Sequence, residues 1–167
     1  MEMAGSVASV SDSYPAVADS VPRARRVLSE FAASSGLSAE QLEGVRLAVS
    51  EAVTNVVRHA YGDDHPGEIH VSASLYSGEL RVLIADDGCG LPNPEGTRGL
   101  GLGLVWMAEF SDGLKLFTRP GGGLEVRLRF NLAGHGERGS PAGPGIARHR
   151  GAASMRLAAG SLASTWR

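Results

Sequence analysis

The sequence predicts an α/β two-layer sandwich, a mostly antiparallel sheet covered on one face by three helices. Three observations lead there. Between residues 39 and 60 apolar side chains recur at three- and four-residue steps, the period of a helix with one buried face. From residue 68 the period changes to two, which marks strands. The order is helix, helix, two strands, glycine-rich loop, helix, two strands, so every helix can lie on one side of a sheet whose strands are joined by tight turns.

Each element has its own signal. The first twenty residues are rich in Ser, Ala and Val with no helical period. They read as a flexible lead-in over residues 1–14, with a short edge strand near Val7–Tyr14. Pro22 suits the first turn of a helix, with Asp19 or Ser20 as its cap. Val27, Leu28, Phe31 and Ala32 supply the apolar stripe of that helix, and Gly36 ends it. Ser38 followed by Gln41 reads as a capping box opening a longer helix. Val45, Ala48, Val49, Ala52, Val53, Val56 and Ala60 give it a continuous apolar face, so it is expected to run from Ala39 to Ala60. It should stop at the Gly62-Asp63-Asp64 turn.

Glu68–Leu75 and Glu79–Ala85 form a hairpin around Ser77-Gly78. The glycine-rich stretch Asp86–Gly103 interrupts regular structure. Leu104–Phe110 reads as a third helix, with Trp106 and Phe110 assigned to the core or to an interface. Leu114–Thr118 and Leu124–Leu132 make a last hairpin around Pro120-Gly121-Gly122-Gly123. From Gly134 onward Gly, Pro, Ser, Ala and Arg dominate and no buried face can be assigned. Residues 15–133 are therefore read as the domain and 134–167 as a disordered tail. The alternative for the tail is a short helix over Ala152–Ala163 formed on contact with a partner.

Composition excludes several classes. The chain has 167 residues, 16 Lys+Arg against 18 Asp+Glu, and one cysteine. One cysteine rules out a disulfide framework and a Cys-rich zinc site. A near-neutral chain lacks the basic stripe of a nucleic-acid binder. No run of 18 apolar residues offers a membrane span, and the first residues lack the regions of a signal peptide. A soluble, cytoplasmic protein is expected. Lys115 is the sole lysine and no G-x-x-x-x-G-K-[ST] sequence occurs, which rules out a Walker-type nucleotide site. Residues 134–167 hold five Arg and one Glu, a local balance of +4, which leaves −6 for residues 1–133. That asymmetry marks the boundary between domain and tail.

Three groups of residues carry candidate chemistry. Glu51, Asn55 and His59 stand at i, i+4 and i+8, one polar row beside the apolar stripe of the long helix. A solvated face is the ordinary explanation for such a row. Asn, however, is a poor helix-interior residue, and Glu51 is flanked by Ala52 and Val53. An acid and an amide one turn apart can share a ligand, the amide oxygen coordinating Mg2+ and the carboxylate handling a proton. Asp86-Asp87-Gly88-Cys89-Gly90 follows a strand directly. It puts a carboxylate acceptor where glycines let a flat ligand approach the backbone, and an adenine amino group is a matching donor. An ordinary Asp-Gly turn is the alternative. Arg98-Gly99-Leu100-Gly101-Leu102-Gly103-Leu104 opens the third helix with glycines at every second position. Backbone N–H groups there can bind phosphate with no lysine at all. Arg98 adds a charge toward a terminal phosphate, or is simply a surface arginine.

In that order and spacing the three groups resemble the GHKL superfamily, the Bergerat ATP-binding fold of gyrase, histidine kinases and relatives. They resemble most its small single-domain branch, the bacterial anti-sigma factor serine/threonine kinases. LAVSEAVTNVVRHAY (Leu47–Tyr61) resembles the N-box of that branch, ADDGCGLPNP (Ala85–Pro94) its D-x-G-x-G box and RGLGLGL (Arg98–Leu104) its second glycine box. The likeness extends from about Pro15 to Leu132 and includes the lead-in AVADSVPRARRVL.

The resemblance implies a Bergerat-type fold and a Mg-ATP-dependent protein serine/threonine kinase. Such a protein is an anti-sigma regulatory factor that works by partner switching, with a sigma factor and a small antagonist protein as its partners. By the same resemblance Asn55 would coordinate the Mg2+ that bridges the ATP phosphates, and Glu51 would be the base. Asp86 would accept from the adenine amino group, with Gly88 and Gly90 allowing close packing beneath the ring. Arg98, Gly99, Leu100, Gly101, Leu102 and Gly103 would form the hinge and phosphate end of an ATP lid, and His59 stands with the nucleotide-binding residues.

Departures matter as well. The Pro92–Thr97 lid is short and no upstream helix with a phosphoacceptor His is present, both unlike a sensor histidine kinase. Members of the branch often carry a Thr near the nucleotide where this chain reads Gly122-Gly123-Leu124. His59, His65 and His70 lack the geometry of a transition-metal site, and Cys89 reads as a packing residue. Neither a nucleic acid nor a membrane is implied as a partner, and a homodimer is left open. A nucleotide-controlled binding module without phosphoryl transfer is the competing class, and Glu51 favours the enzyme. An unrelated sandwich with coincidental glycines is the third reading.

Overall fold

The computed structural model describes residues 8–62, 66–90 and 101–132. The expectations placed on Asp63, Asp64, His65, Pro92–Thr97, Arg98, Gly99, Leu100 and residues 134–167 lie outside the described residues. The described residues form β1 (Ser9–Pro15), α1 (Ser20–Ser34), α2 (Ala39–His59), β2 (Glu68–Tyr76), β3 (Glu79–Asp86), α3 (Gly101–Glu109), β4 (Gly113–Thr118) and β5 (Leu124–Asn131). Every strand pair is antiparallel and the sheet order is β1-β2-β3-β5-β4. The two-layer α/β sandwich expected from the pattern is the observed fold.

The long helix follows its sequence signals closely. Ser38 Oγ accepts from the Gln41 N–H at 3.1 Å and the Gln41 side chain accepts from the Ser38 N–H at 3.1 Å, so the capping box is closed in both directions. Val45, Ala48, Val49, Ala52, Val53, Val56 and Ala60 are all buried. They meet Leu28 and Ala32 of α1 and the inward row Ile69, Val71, Val82, Ile84 and Leu128 of the sheet in one core. At the β2–β3 turn both Ser77 (φ 49) and Gly78 (φ 76) are left-handed, the conformation that a tight two-residue hairpin needs.

One expectation changes and three are made specific. The short edge strand expected near Val7–Tyr14 is β1, which pairs with β2 from Ser9↔Ser74 to Pro15↔Glu68. Tyr14 is its one buried side chain and Val10 packs partly against the core, while the remaining side chains are exposed as an edge allows. α1 is capped at Asp19 without a side-chain hydrogen bond, while Ser20 Oγ donates to the Pro15 carbonyl at 2.6 Å instead. α3 begins at Gly101 rather than Leu104, so part of the glycine box is helical. Trp106 is not a core residue. It is 54% exposed and stacks on Phe110 with ring centroids 5.6 Å apart, while Met107 is the side chain that enters the core.

Candidate functional site

The last two turns of α2, the end of β3 and the start of β5 converge with α3 around one pocket. Ala52, Asn55, Val56, His59 and Ala60 line it from the long helix, and Asp86 and Gly90 from the loop that ends β3. Leu104 and Met107 of α3, with Leu124 and Val126 of β5, complete it. It encloses about 410 Å³, open mouth included. Mostly apolar walls with a few convergent polar groups suit a flat heterocyclic ligand.

Asn55 brings an amide into that pocket from the helix layer. Its Nδ2 is buried and has no hydrogen-bond partner among the described residues. An orphaned buried polar group costs about 1–3 kcal/mol, and a ligand in the pocket is what could satisfy it. Asp86 enters from the sheet layer at only 3% exposure. Its Oδ1 accepts from the Gly88 N–H at 2.9 Å and the Leu124 N–H at 3.3 Å. Among the described residues no bond is made to Oδ2, so that oxygen keeps its capacity for a donor. Burial pushes the carboxyl above its ordinary value, opposed by those two amide bonds and by the nearby Arg119.

The glycines answer to the protein's own backbone. A Cβ at Gly88 would lie 2.0 Å from the Ala60 carbonyl, because this loop packs on the C-terminus of α2. The Cys89 N–H donates to that carbonyl at 2.8 Å, and Cys89 Sγ lies 3.1 Å from the His59 carbonyl, so the loop satisfies the open end of the helix. Gly90 is left-handed (φ 76). On the other side of the pocket a Cβ at Gly103 would lie 2.2 Å from Glu51 Oε1. The first turn of α3 therefore rests on the Glu51 carboxylate, and an acid near a helix N-terminus is favourable.

Of the sequence-derived candidates, Asn55, His59, Asp86 and Gly90 line the pocket itself. Gly88 and Gly103 support it from behind, and Glu51 sits one turn up α2 against Gly103. Gly101 and Leu102 lie in the first turn of α3, where Leu102 is 75% exposed. Arg98, Gly99 and Leu100 lie outside the described residues. Among the described residues no group of three or more His, Cys, Asp and Glu side chains is placed to hold a metal ion.

Three contributors escaped the sequence reading. The Tyr61 hydroxyl accepts from the Asp87 N–H at 2.9 Å and donates to the Glu68 carbonyl at 2.7 Å, which pins the loop to β2. Tyr61 stands inside the quoted N-box, so a signal was there to be used. Leu124 contributes through its backbone, where side-chain motifs are silent. Arg119 donates to the Asp86 carbonyl at 3.0 Å and pairs with the Asp87 carboxylate. No local pattern ties Arg119 to residues 33 and 32 positions away.

Comparison with known proteins gives the family and agrees with the fold. Residues 14–130 match the histidine kinase-like ATPase domain family. A serine-protein kinase RsbW of Oceanobacillus iheyensis is 43% identical over 74 residues, 44% of this chain, and the chain spans about half (47%) of that relative. The anti-sigma F factor of Shouchella clausii is 30% identical over 131 residues, covering 71% of this chain and 89% of the relative. A serine-protein kinase RsbW of Listeria innocua is 33% identical over 122 residues, 64% of this chain and 78% of the relative. Among solved structures, the RsbU and RsbW domains of Rv1364c from Mycobacterium tuberculosis superpose with a TM-score of 0.60 at 24% identity, covering 75% of this chain and 32% of that one. That likeness carries the fold alone. With more than half of its length matched, and with relatives of that kind, the chain belongs to the histidine kinase-like ATPase family and, within it, to the branch of the anti-sigma serine-protein kinases.

Proposed function

We propose that the protein is a Mg-ATP-dependent serine/threonine kinase that acts as an anti-sigma factor. It would hold a sigma factor in one state and phosphorylate a Ser or Thr of a small antagonist protein in another. The observation that carries this reading is the single pocket shared by Asn55, with its unpartnered buried amide, and Asp86, with a buried carboxyl open on one oxygen. An amide can turn about its last torsion and offer either end, so Asn55 suits a bound cation through oxygen or a phosphate through nitrogen. The apolar walls and a carboxylate acceptor suit a purine with an exocyclic amino group. Those residues fit Mg-ATP.

When bound, Mg-ATP supplies the phosphoryl group and the charge neutralisation that such transfer requires. The chain's own part is positioning and proton handling. Asp86 holds the purine edge, Gly88 and Gly90 keep the backbone flat beneath it, and His59 borders the mouth. Gly101 and Gly103 offer backbone N–H groups at the start of α3, continued by Arg98, Gly99, Leu100 and Leu102 as the hinge of a lid. Glu51, one turn from Asn55, orients the attacking hydroxyl of the partner and takes its proton. The relatives named anti-sigma F factor and serine-protein kinase RsbW support the choice of partners and of reaction.

Labelled ATP, the purified protein and its antagonist test this directly. Glu51→Gln is expected to keep nucleotide affinity and to lower label transfer by about 10²–10⁴-fold, the usual contribution of a positioned base. Asn55→Ala is expected to lose Mg-dependent nucleotide binding itself. Nucleotide binding without any transfer, unchanged by Glu51→Gln, would replace the kinase with the nucleotide-controlled binding module.

A further inference from the structure

Arg119 follows β4 and starts the turn into β5. Its N–H donates to the Gly123 carbonyl at 3.1 Å and its carbonyl accepts from the Gly122 N–H at 3.1 Å, which closes the turn. Its side chain, about a quarter exposed (26%), leaves the turn and crosses to the end of β3. There Nη1 donates to the Asp86 carbonyl at 3.0 Å and also pairs with Asp87 Oδ1. The other Asp87 oxygen meets His70 Nε2 at 3.2 Å, and the Asp87 N–H is held by Tyr61. Among the described residues Arg119 is the one side chain that grips both the backbone of Asp86 and the side chain of its neighbour.

The turn that carries Arg119 lies directly against the same segment. Gly123 is left-handed (φ 89) and a Cβ there would lie 2.1 Å from the Asp86 carbonyl. A Cβ at Gly122 (φ 109) would lie 3.0 Å from the Gly88 carbonyl. This contact delivers the Leu124 N–H to Asp86 Oδ1 at 3.3 Å. The orientation of the Asp86 carboxylate thus depends on a turn that Arg119 ties down. An exposed ion pair contributes little, but a single Nη1 held between acceptors on two adjacent residues ties both of them to the turn.

Direction matters for specificity. A buried carboxylate aimed at a purine edge accepts from a 6-amino group and repels a 6-oxo group. Sites built on such a hydrogen bond discriminate strongly, because the wrong ligand leaves buried groups unpaired. We propose that Arg119 is a positioning residue that sets the adenine-over-guanine selectivity of the pocket by clamping Asp86 and Asp87, without touching the nucleotide. This rests on the reading of the pocket as a nucleotide site. The guanidinium also lowers the Asp86 carboxyl, against the burial that raises it.

Calorimetric binding of Mg-ATP and of Mg-GTP to the full chain tests this, beside thermal denaturation without nucleotide. The unaltered protein is expected to prefer ATP. Arg119→Gln is expected to weaken ATP about tenfold, the loss of roughly one charge-assisted hydrogen bond, and to leave GTP unchanged or improved, so the ratio falls about tenfold. Arg119→Lys, which keeps a charge for Asp87 on a head that is not planar, is expected to fall in between. Asp87→Asn removes the pair from the other side and is expected to lower the ratio as well. A ratio unchanged in all three variants overturns the proposal, even if thermal stability falls, because that pattern is a structural role only. An unaltered protein that binds neither nucleotide overturns the underlying reading of the pocket instead, and is told apart from the first result before any variant is made.

Discussion

Burial holds the Asp86 carboxyl above its ordinary value of 3.8, since desolvation outweighs the amide bonds from Gly88 and Leu124 and the field of Arg119. The sign of the linkage follows. In the window between 3.8 and the raised folded value the native state binds the proton more tightly than the unfolded chain. The stability that this contributes is fully present below 3.8 and is lost as pH rises through the folded value. Above the folded value the ionised Asp86 therefore opposes folding, which is a cost a binding site can carry. Asp86→Asn keeps an oxygen for the Gly88 and Leu124 amides. It is expected to raise the denaturation midpoint at pH 7 and to flatten the stability gain on acidification through that window, while ATP affinity falls about 100-fold or more. Urea titrations at several pH values, beside calorimetry, check both halves. Gly123 makes the complementary case. Its φ is 89 and an added Cβ would lie 2.1 Å from the Asp86 carbonyl, so a methyl group has no room and the obstacle is backbone. Gly123→Ala is expected to cost about 3 kcal/mol of stability, read as a shift in urea midpoint at constant slope.

Helix α2 carries the site, and its start is where its own stability can be probed without touching the pocket. The Ser38–Gln41 capping box lies at the opposite end of the helix from Asn55 and His59. Ser38→Ala is expected to cost about 1 kcal/mol with ATP affinity unchanged, and lost affinity in that variant would mean that the pocket feels the whole length of the helix. This element was legible because its signals are local and agree: a cap, a seven-member apolar stripe and a turn of glycine and acid. α3 was less so. Leu102, Leu104, Val105, Trp106 and Met107 are apolar on nearly every side, so the period could not say which faces inward. Contacts chose Met107 and left Leu102, Val105 and Trp106 exposed. Its glycines read as a loop by propensity, but Gly103 is helical, and its bare Cα leaves room for the Glu51 side chain. β1 was legible as a short edge strand but not in its bounds, since a polar edge carries few apolar residues to mark where it begins.

At the scale of the molecule the pocket is a joint between layers. Asn55 and His59 come from the helix layer, Asp86 and Leu124 from adjacent central strands β3 and β5, and Leu104 and Met107 from the last helix to join. The boxes that resemble the family were readable as strings, because each is contiguous. What holds them in register was not, because Arg119, Leu124 and Tyr61 act across long stretches of chain through single bonds. A ligand that bridges the layers must stabilise the fold as a whole, by RT ln(1 + [L]/Kd). At a hundredfold excess over Kd that is about 2.7 kcal/mol, or a rise of about 5–10 °C in Tm for a domain of this size. Mg-ATP is expected to produce that rise in the unaltered chain. Asn55→Ala and Asp86→Asn are each expected to abolish it, and the double variant to respond no differently from either one. The argument turns on the single variants. If Asn55→Ala kept the full rise while Asp86→Asn lost it, the nucleotide would be held by the sheet layer alone. The helix layer, with Glu51 on it, would then have no part in binding, and a base beside the phosphates would have nothing to act on.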